Sequence, residues 1–170
     1  MKIVGIDASL TCTGIAKYSD TSDIMDTYII KPKETGVKRL CFIRNTIVDV
    51  VNHTDLVVLE NYSYASANQA HQIGELGGIL RVLFYEKQIR YIVVAPGQVK
   101  KFATGKGNAK KEQIAVACYK HWDIEFNTND EADAYVLMRI GMALKGIDVD
   151  KLTSYQKEII KTINKENRLD

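Results

Sequence analysis

The chain has 170 residues, 46% of them hydrophobic and 26% charged, with a formal net charge of +2, which suits one domain with one well-filled core. No stretch approaches the roughly 20 apolar residues of a membrane helix. Met1–Asp7 runs straight into a strand-like pattern rather than a signal peptide, so a soluble cytoplasmic protein is expected.

The modest net charge hides an asymmetry. From Lys87 to Lys111 there are seven basic residues and no acid, which leaves the rest of the chain net negative. A basic lobe beside an acidic remainder suits an anionic partner. Cys12, Cys41 and Cys118 lack the paired spacing of a zinc or redox motif and read as unpaired thiols in a reducing compartment.

Taken in chain order, Lys2–Asp7 is an apolar run that ends on an acid. A turn of small residues, Ala8–Thr13, separates it from a second short strand, Gly14–Tyr18, and a third follows at Ile24–Ile30 before Pro32 and Gly36. Three sequential antiparallel strands are expected. Val37–Val51 places Leu40, Ile43, Ile47 and Val51 on one face of an amphipathic helix. Leu56–Leu59 is a continuous apolar run leading into Glu60, as in a buried parallel strand. Ala67–Lys87 reads as a long helix and Tyr91–Ala95 as a short strand stopped by Pro96 and Gly97. One or two helical turns at Gln98–Phe102 precede the loop Thr104–Asn108, and helices follow at Ala109–Tyr119 and Asn129–Lys145. Thr128 with Glu131 forms a capping-box signature at the start of the last. Leu152–Asn167 is polar, helix-prone and expected at the periphery. This order, without repeats or low-complexity linkers, is that of an α/β layer architecture.

Four acids stand out. Two buried-looking strands finish on Asp7 and Glu60, where the pattern would otherwise place an apolar residue. A buried acid without a partner is costly, and the cost vanishes if adjacent strands bring their carboxylates to shared hard cations such as Mg²⁺. Asp130 and Asp133, three apart in the first turn of a helix, project from one side of it. Such a set could hold two metals about 3.5–4 Å apart, clamping the attacking and leaving oxygens of a phosphoryl displacement. Taken singly, Asp7 could be a turn former, and Asp130 and Asp133 could complement a helix N-terminus.

Together with their surroundings these residues resemble the RuvC-type Holliday-junction resolvases. The resemblance rests on Gly5-Ile6-Asp7-Ala8-Ser9-Leu10-Thr11-Cys12-Thr13-Gly14, on Leu59-Glu60-Asn61 and on Asp130-Glu131-Ala132-Asp133-Ala134. It extends to the glycine-bearing helix Ile73-Gly74-Glu75-Leu76-Gly77-Gly78 and to the basic region Gln98-Val99-Lys100 and Gly105-Lys106-Gly107-Asn108-Ala109-Lys110-Lys111. It covers roughly residues 2 to 145 in order. The implied fold is RNase H-like, with a mixed five-stranded sheet, three antiparallel strands followed by parallel ones, flanked by helices. Residues 1–150 would form the nuclease domain and 151–170 a peripheral helical tail.

The implied activity is that of a homodimeric crossover junction endodeoxyribonuclease, nicking two strands of a four-way DNA junction and accepting other branched DNAs. By position, Asp7, Glu60, Asp130 and Asp133 match the metal-binding acids, with two Mg²⁺ per site and Mn²⁺ able to replace them. Lys100 and Lys111 match two catalytically important basic positions, suited to holding the scissile phosphate. Lys101, Lys106 and Lys110, interleaved with glycine and asparagine, would track the DNA backbone. Where the family carries an aromatic wedge, this chain has Ser63 flanked by Tyr62 and Tyr64. Either tyrosine could stack on an unpaired base, worth roughly 1–3 kcal/mol per base. The short length and lysine-rich loop are similar to the phage-borne branch.

Gly74, Gly77 and Gly78 each cost about 1 kcal/mol relative to alanine inside a helix, so something must need close approach there. The resemblance implies a dimer partner; a DNA backbone or a tight helix–sheet contact would also serve. Two other readings compete. Asp7–Gly14 loosely fits the first phosphate loop of an actin- or sugar-kinase-like phosphotransferase, but 170 residues leave little room for its second lobe. A non-catalytic junction-binding protein would keep the basic surface, but has no use for four acids.

Overall fold

The computed structural model describes residues 1–21, 24–52, 54, 56–61 and 70–167. Strands β1 (Lys2–Asp7), β2 (Thr13–Ser19), β3 (Ile24–Ile30), β4 (Leu56–Glu60) and β5 (Tyr91–Val94) form one sheet in the order β3-β2-β1-β4-β5. β1 pairs antiparallel with β2 and β2 with β3, while β1–β4 and β4–β5 are parallel. The switch from meander to crossover follows from the connections. The β1–β2 link spans only residues 8–12, whereas helix α1 (Gly36–Val51) carries the chain over to β4.

Alternation along the strands sorts side chains to two faces. Val4 and Ile6 of β1 and Val57 and Leu59 of β4 pack with α1 and with α2 (Ala70–Glu86). Ile3 of β1 and Leu56 and Val58 of β4 face the other layer, built on α5 (Asn129–Leu144) with α3 (Pro96–Thr104), α4 (Lys111–Trp122) and α6 (Ser154–Asn167). Helices thus cover both faces, as the continuous apolar runs of β1 and β4 require. Among the described residues no helix is long and apolar enough to cross a membrane.

α5 is the central helix, with every residue from Glu131 to Ala143 buried. Its start is set by Thr128, whose hydroxyl accepts from the Glu131 N–H at 3.2 Å while the Glu131 carboxylate accepts from the Thr128 N–H at 3.1 Å. Small residues set how closely it lies on the sheet. A Cβ at Gly14 would stand 2.0 Å from the Asp130 carbonyl oxygen, and one at Gly5 2.2 Å from that of Ala134. Farther along, the buried Arg139 pairs with Asp148 at 3.3 Å and lies over the Trp122 ring.

Two boundaries differ from the sequence pattern for local reasons. α3 runs nine residues because Pro96 pre-sets its first turn, and it stops at Gly105, which takes a left-handed conformation at φ 80°. α4 starts at Lys111 rather than Ala109, because Lys110 is extended and its N–H is taken by the Gln113 side chain at 2.8 Å.

The C-terminal segment expected at the periphery is seated in the main core. Ile159 and Ile163 of α6 are buried there, and the buried Gln156 side chain donates to the Phe102 carbonyl at the end of α3, at 3.1 Å. The pattern misleads because α6 is polar on its other sides. Its two buried apolar residues, Ile159 and Ile163, sit four apart and make one narrow stripe.

Candidate active site

The pleat that sorts the core also aims the acids. Asp7 follows Ile3 and Gly5 at intervals of two on β1, and Glu60 follows Leu56 and Val58 on β4, so both point to the α5 layer. The strands pair in parallel with Ile6 opposite Leu59, which sets Asp7 and Glu60 side by side one residue on. The close crossing at Gly14 lowers the first turn of α5 onto this point with Asp130 and Asp133. Asp7 and Asp133 are buried, at 8% and 6% exposure, and the Asp130 side chain is 26% exposed.

Burial is the first cause of a raised pKa at Asp7, Glu60 and Asp133. Burial pushes the Asp7 carboxyl up, against a hydrogen bond with Glu60 and the Lys111 charge, which pull it down. Glu60 is raised to about 10, first by burial and then by the Asp7 charge and hydrogen bond. Asp133 is raised to about 7 by burial and by Asp7. Burial works against the Lys111 ammonium, yet the charges of Asp7, Asp133, Asp130 and Glu60 outweigh it and raise its pKa. Lys111 lies 3.9 Å from Asp130, amid the acids.

A pH dependence follows. Glu60 and Asp133 titrate near 4.5 and 3.8 when unperturbed and at about 10 and about 7 in the fold. Between those limits the native state holds more protons than the unfolded chain, so stability falls as pH rises. Without divalent cations, melting is expected to drop by at least about 4 °C from pH 5 to pH 8, since roughly 1 kcal/mol moves Tm by about 2–4 °C at this size. Thermal melts in EDTA across that range check this, and the Glu60→Gln protein should show a flatter profile.

Oxygen donors from four acids suit a hard divalent cation, and such an ion would offset the burial that raises Asp7, Glu60 and Asp133. Among the described residues, no three His, Cys, Asp or Glu side chains already stand as a ready cage.

The basic residues divide. Lys100 of α3 and Lys111 of α4 line a cavity of about 240 Å³ beside Glu60 and Asp133. Lys101 is paired with Glu158 of α6 at 3.2 Å. Lys106 and Lys110 are exposed on the α3–α4 connection. Tyr62 and Tyr64 lie outside the described residues.

The glycines of α2 divide as well. At Gly74 and Gly78 an added Cβ meets nothing within 4 Å, so both open to the surface. Gly77 instead is buried and lines the cavity, which makes it part of the site's wall rather than of an outward face. Sequence reasoning also passed over Cys12, whose thiol hydrogen-bonds to Asp130 and is pushed up to about 11, by burial first. Thr13 is fully buried, where it accepts from the Ser9 N–H and donates to the Ser9 carbonyl, closing the turn after Asp7. The serine and threonines crowding that turn were its only signal.

Three antiparallel strands continued by two parallel ones, with acids at the ends of the two central strands, define the RNase H-like nuclease fold. Solved structures that share it include Thermus thermophilus RuvC, with a TM-score of 0.66 at 22% identity, over 86% of this chain and 97% of that one. Another is the fowlpox virus resolvase with substrate Holliday junction DNA, at 0.54 and 20%, over 84% and 97%. The family model for crossover junction endodeoxyribonuclease RuvC matches residues 3–140. The Ehrlichia chaffeensis protein of that name is 30% identical over 143 residues, 79% of this chain and 91% of its own length. The chain belongs to the RuvC family, which sets aside the kinase-like reading.

Proposed function

We propose that this protein is a metal-dependent, structure-selective endonuclease that resolves four-way DNA junctions by paired nicking. The observation that carries the reading is the meeting of Asp7, Glu60, Asp130 and Asp133 from three separate elements around Lys111. Acids from β1, β4 and α5 would not be driven together against their own repulsion for the sake of stability.

In this reading Asp7, Glu60, Asp130 and Asp133 hold divalent cations, Mg²⁺ foremost, which supply water activation and neutralise charge on the leaving oxygen. Lys111 and Lys100 stand at the same cavity and hold the scissile phosphate. Lys106 and Lys110 flank it on exposed chain and track the neighbouring phosphates, while Lys101 reaches DNA on leaving Glu158. Residues 1–150 carry the nuclease, with α6 closing its core. The test is cleavage of an immobile four-way junction beside matched duplex, fork and single strand, with Mg²⁺ or EDTA. Symmetric metal-dependent nicks are expected. Binding without any cut, on every substrate, would instead leave a junction-binding protein.

Paired nicking calls for two sites on strands of like polarity, which a two-fold dimer provides. The outward face of α2 suits it: Gly74 and Gly78 open a path for close approach, and Val82 and Tyr85 follow on the same side, with Tyr85 83% exposed. Gly78→Glu is expected to shift the protein from dimer to monomer in sedimentation velocity at micromolar concentration. A dimer that survives this change would place the interface elsewhere.

A further inference from the structure

The cavity of about 240 Å³ beside the acids is walled by apolar side chains as well as charged ones. Its charged lining is Glu60, Asp133, Lys100 and Lys111. Its apolar lining includes Leu59, Ile73, Leu76, Val99 and Ile114, contributed by β4, α2, α3 and α4. Protein interiors are normally packed without such recesses. Here the room is kept at a cost, since Gly77 on the α2 wall forgoes about 1 kcal/mol of helix propensity relative to alanine.

We propose that this cavity is a nucleobase subsite, which takes the base of one unstacked nucleotide adjacent to the scissile phosphate. The inference rests on the nuclease reading and adds to it where substrate selectivity comes from. A phosphate held between the acids and the two lysines leaves its own nucleotide beside an apolar recess, and a base offers flat apolar faces to fill it. In continuous duplex both faces of each base are covered by neighbours, so entry requires unstacking, at a cost of a few kcal/mol. At a strand exchange that cost is partly met already. The subsite therefore favours cutting at a branch without reading the whole junction.

The test uses wild-type protein and junctions carrying 2-aminopurine at single positions on either side of the mapped nick, bound in EDTA. Among the described residues no aromatic side chain lines the cavity, and a base that leaves the stack for it loses the quenching by its neighbouring bases. Fluorescence is expected to rise at one position next to the nick, and to lose that rise in Gly77→Leu protein, where the side chain fills the space. Replacing the same nucleotide by an abasic one should slow cleavage by wild-type protein about tenfold. The abasic arm decides the matter even if Gly77→Leu does not fold. An abasic junction cut at the normal rate, or a signal unchanged in folded Gly77→Leu, overturns the subsite. Absence of any cleavage by wild-type protein would instead overturn the nuclease reading itself.

Discussion

Glu60→Gln is expected to lower junction cleavage by about a hundred- to a thousandfold while leaving junction binding within a few-fold of the parent. Glutamine keeps the size of the side chain and can still donate to Asp7, so the neutral, protonated form of Glu60 is well imitated. What it cannot do is become a carboxylate when cations arrive. Because it also removes one charge from a crowded set, the variant should melt no lower than the parent in EDTA at pH 8, and gain less stability from added Mg²⁺. Single-turnover cleavage of a labelled junction, gel-shift binding and paired melts with and without Mg²⁺ check the three parts. A variant that cuts normally would remove Glu60 from the site. One that fails to bind would place it in DNA recognition instead.

Gly14→Ala is expected to have the largest effect on the fold, about 3 kcal/mol or more of lost stability. Its new Cβ would lie 2.0 Å from one backbone atom of Asp130 and 2.6 Å from another, and backbone cannot rotate away as a side chain can. α5 must lift from β2, carrying Asp130 and Asp133 away from Asp7. Gly5→Ala drives a Cβ to 2.4 Å from the Met138 nitrogen and should act in the same direction. Gly97→Ala in α3 is the control, where a Cβ would meet only the Gly107 carbonyl oxygen at 3.8 Å, and it is expected to be neutral or stabilising by up to about 1 kcal/mol. Urea denaturation at equal protein concentration separates these outcomes. A folded Gly14→Ala protein with unchanged midpoint would mean that α5 does not depend on this contact.

Much of this molecule is local in origin and could be read from the chain. The five strands and the helices α1, α2 and α5 follow from apolar period and from punctuation at Pro32, Gly36, Pro96 and Gly105. The acids Asp7 and Glu60 announce themselves by ending apolar runs, and the Thr128–Glu131 capping box fixes where α5 starts. Tertiary structure alone decided the rest. Whether Gly77 faces a partner or a cavity depends on how α2 is rotated against β4, which no period of its own sequence reports. That Lys101 is engaged by Glu158 while Lys100 looks into the site depends on α6 docking against α3, through contacts such as Gln156 to Phe102 that span 54 residues. The weight of Gly5 and Gly14 is invisible until a helix more than a hundred residues later is laid across them. A residue's own pattern tells whether it is buried and in what kind of element. What it is buried against, and how near, is set by the packing of elements distant in the chain.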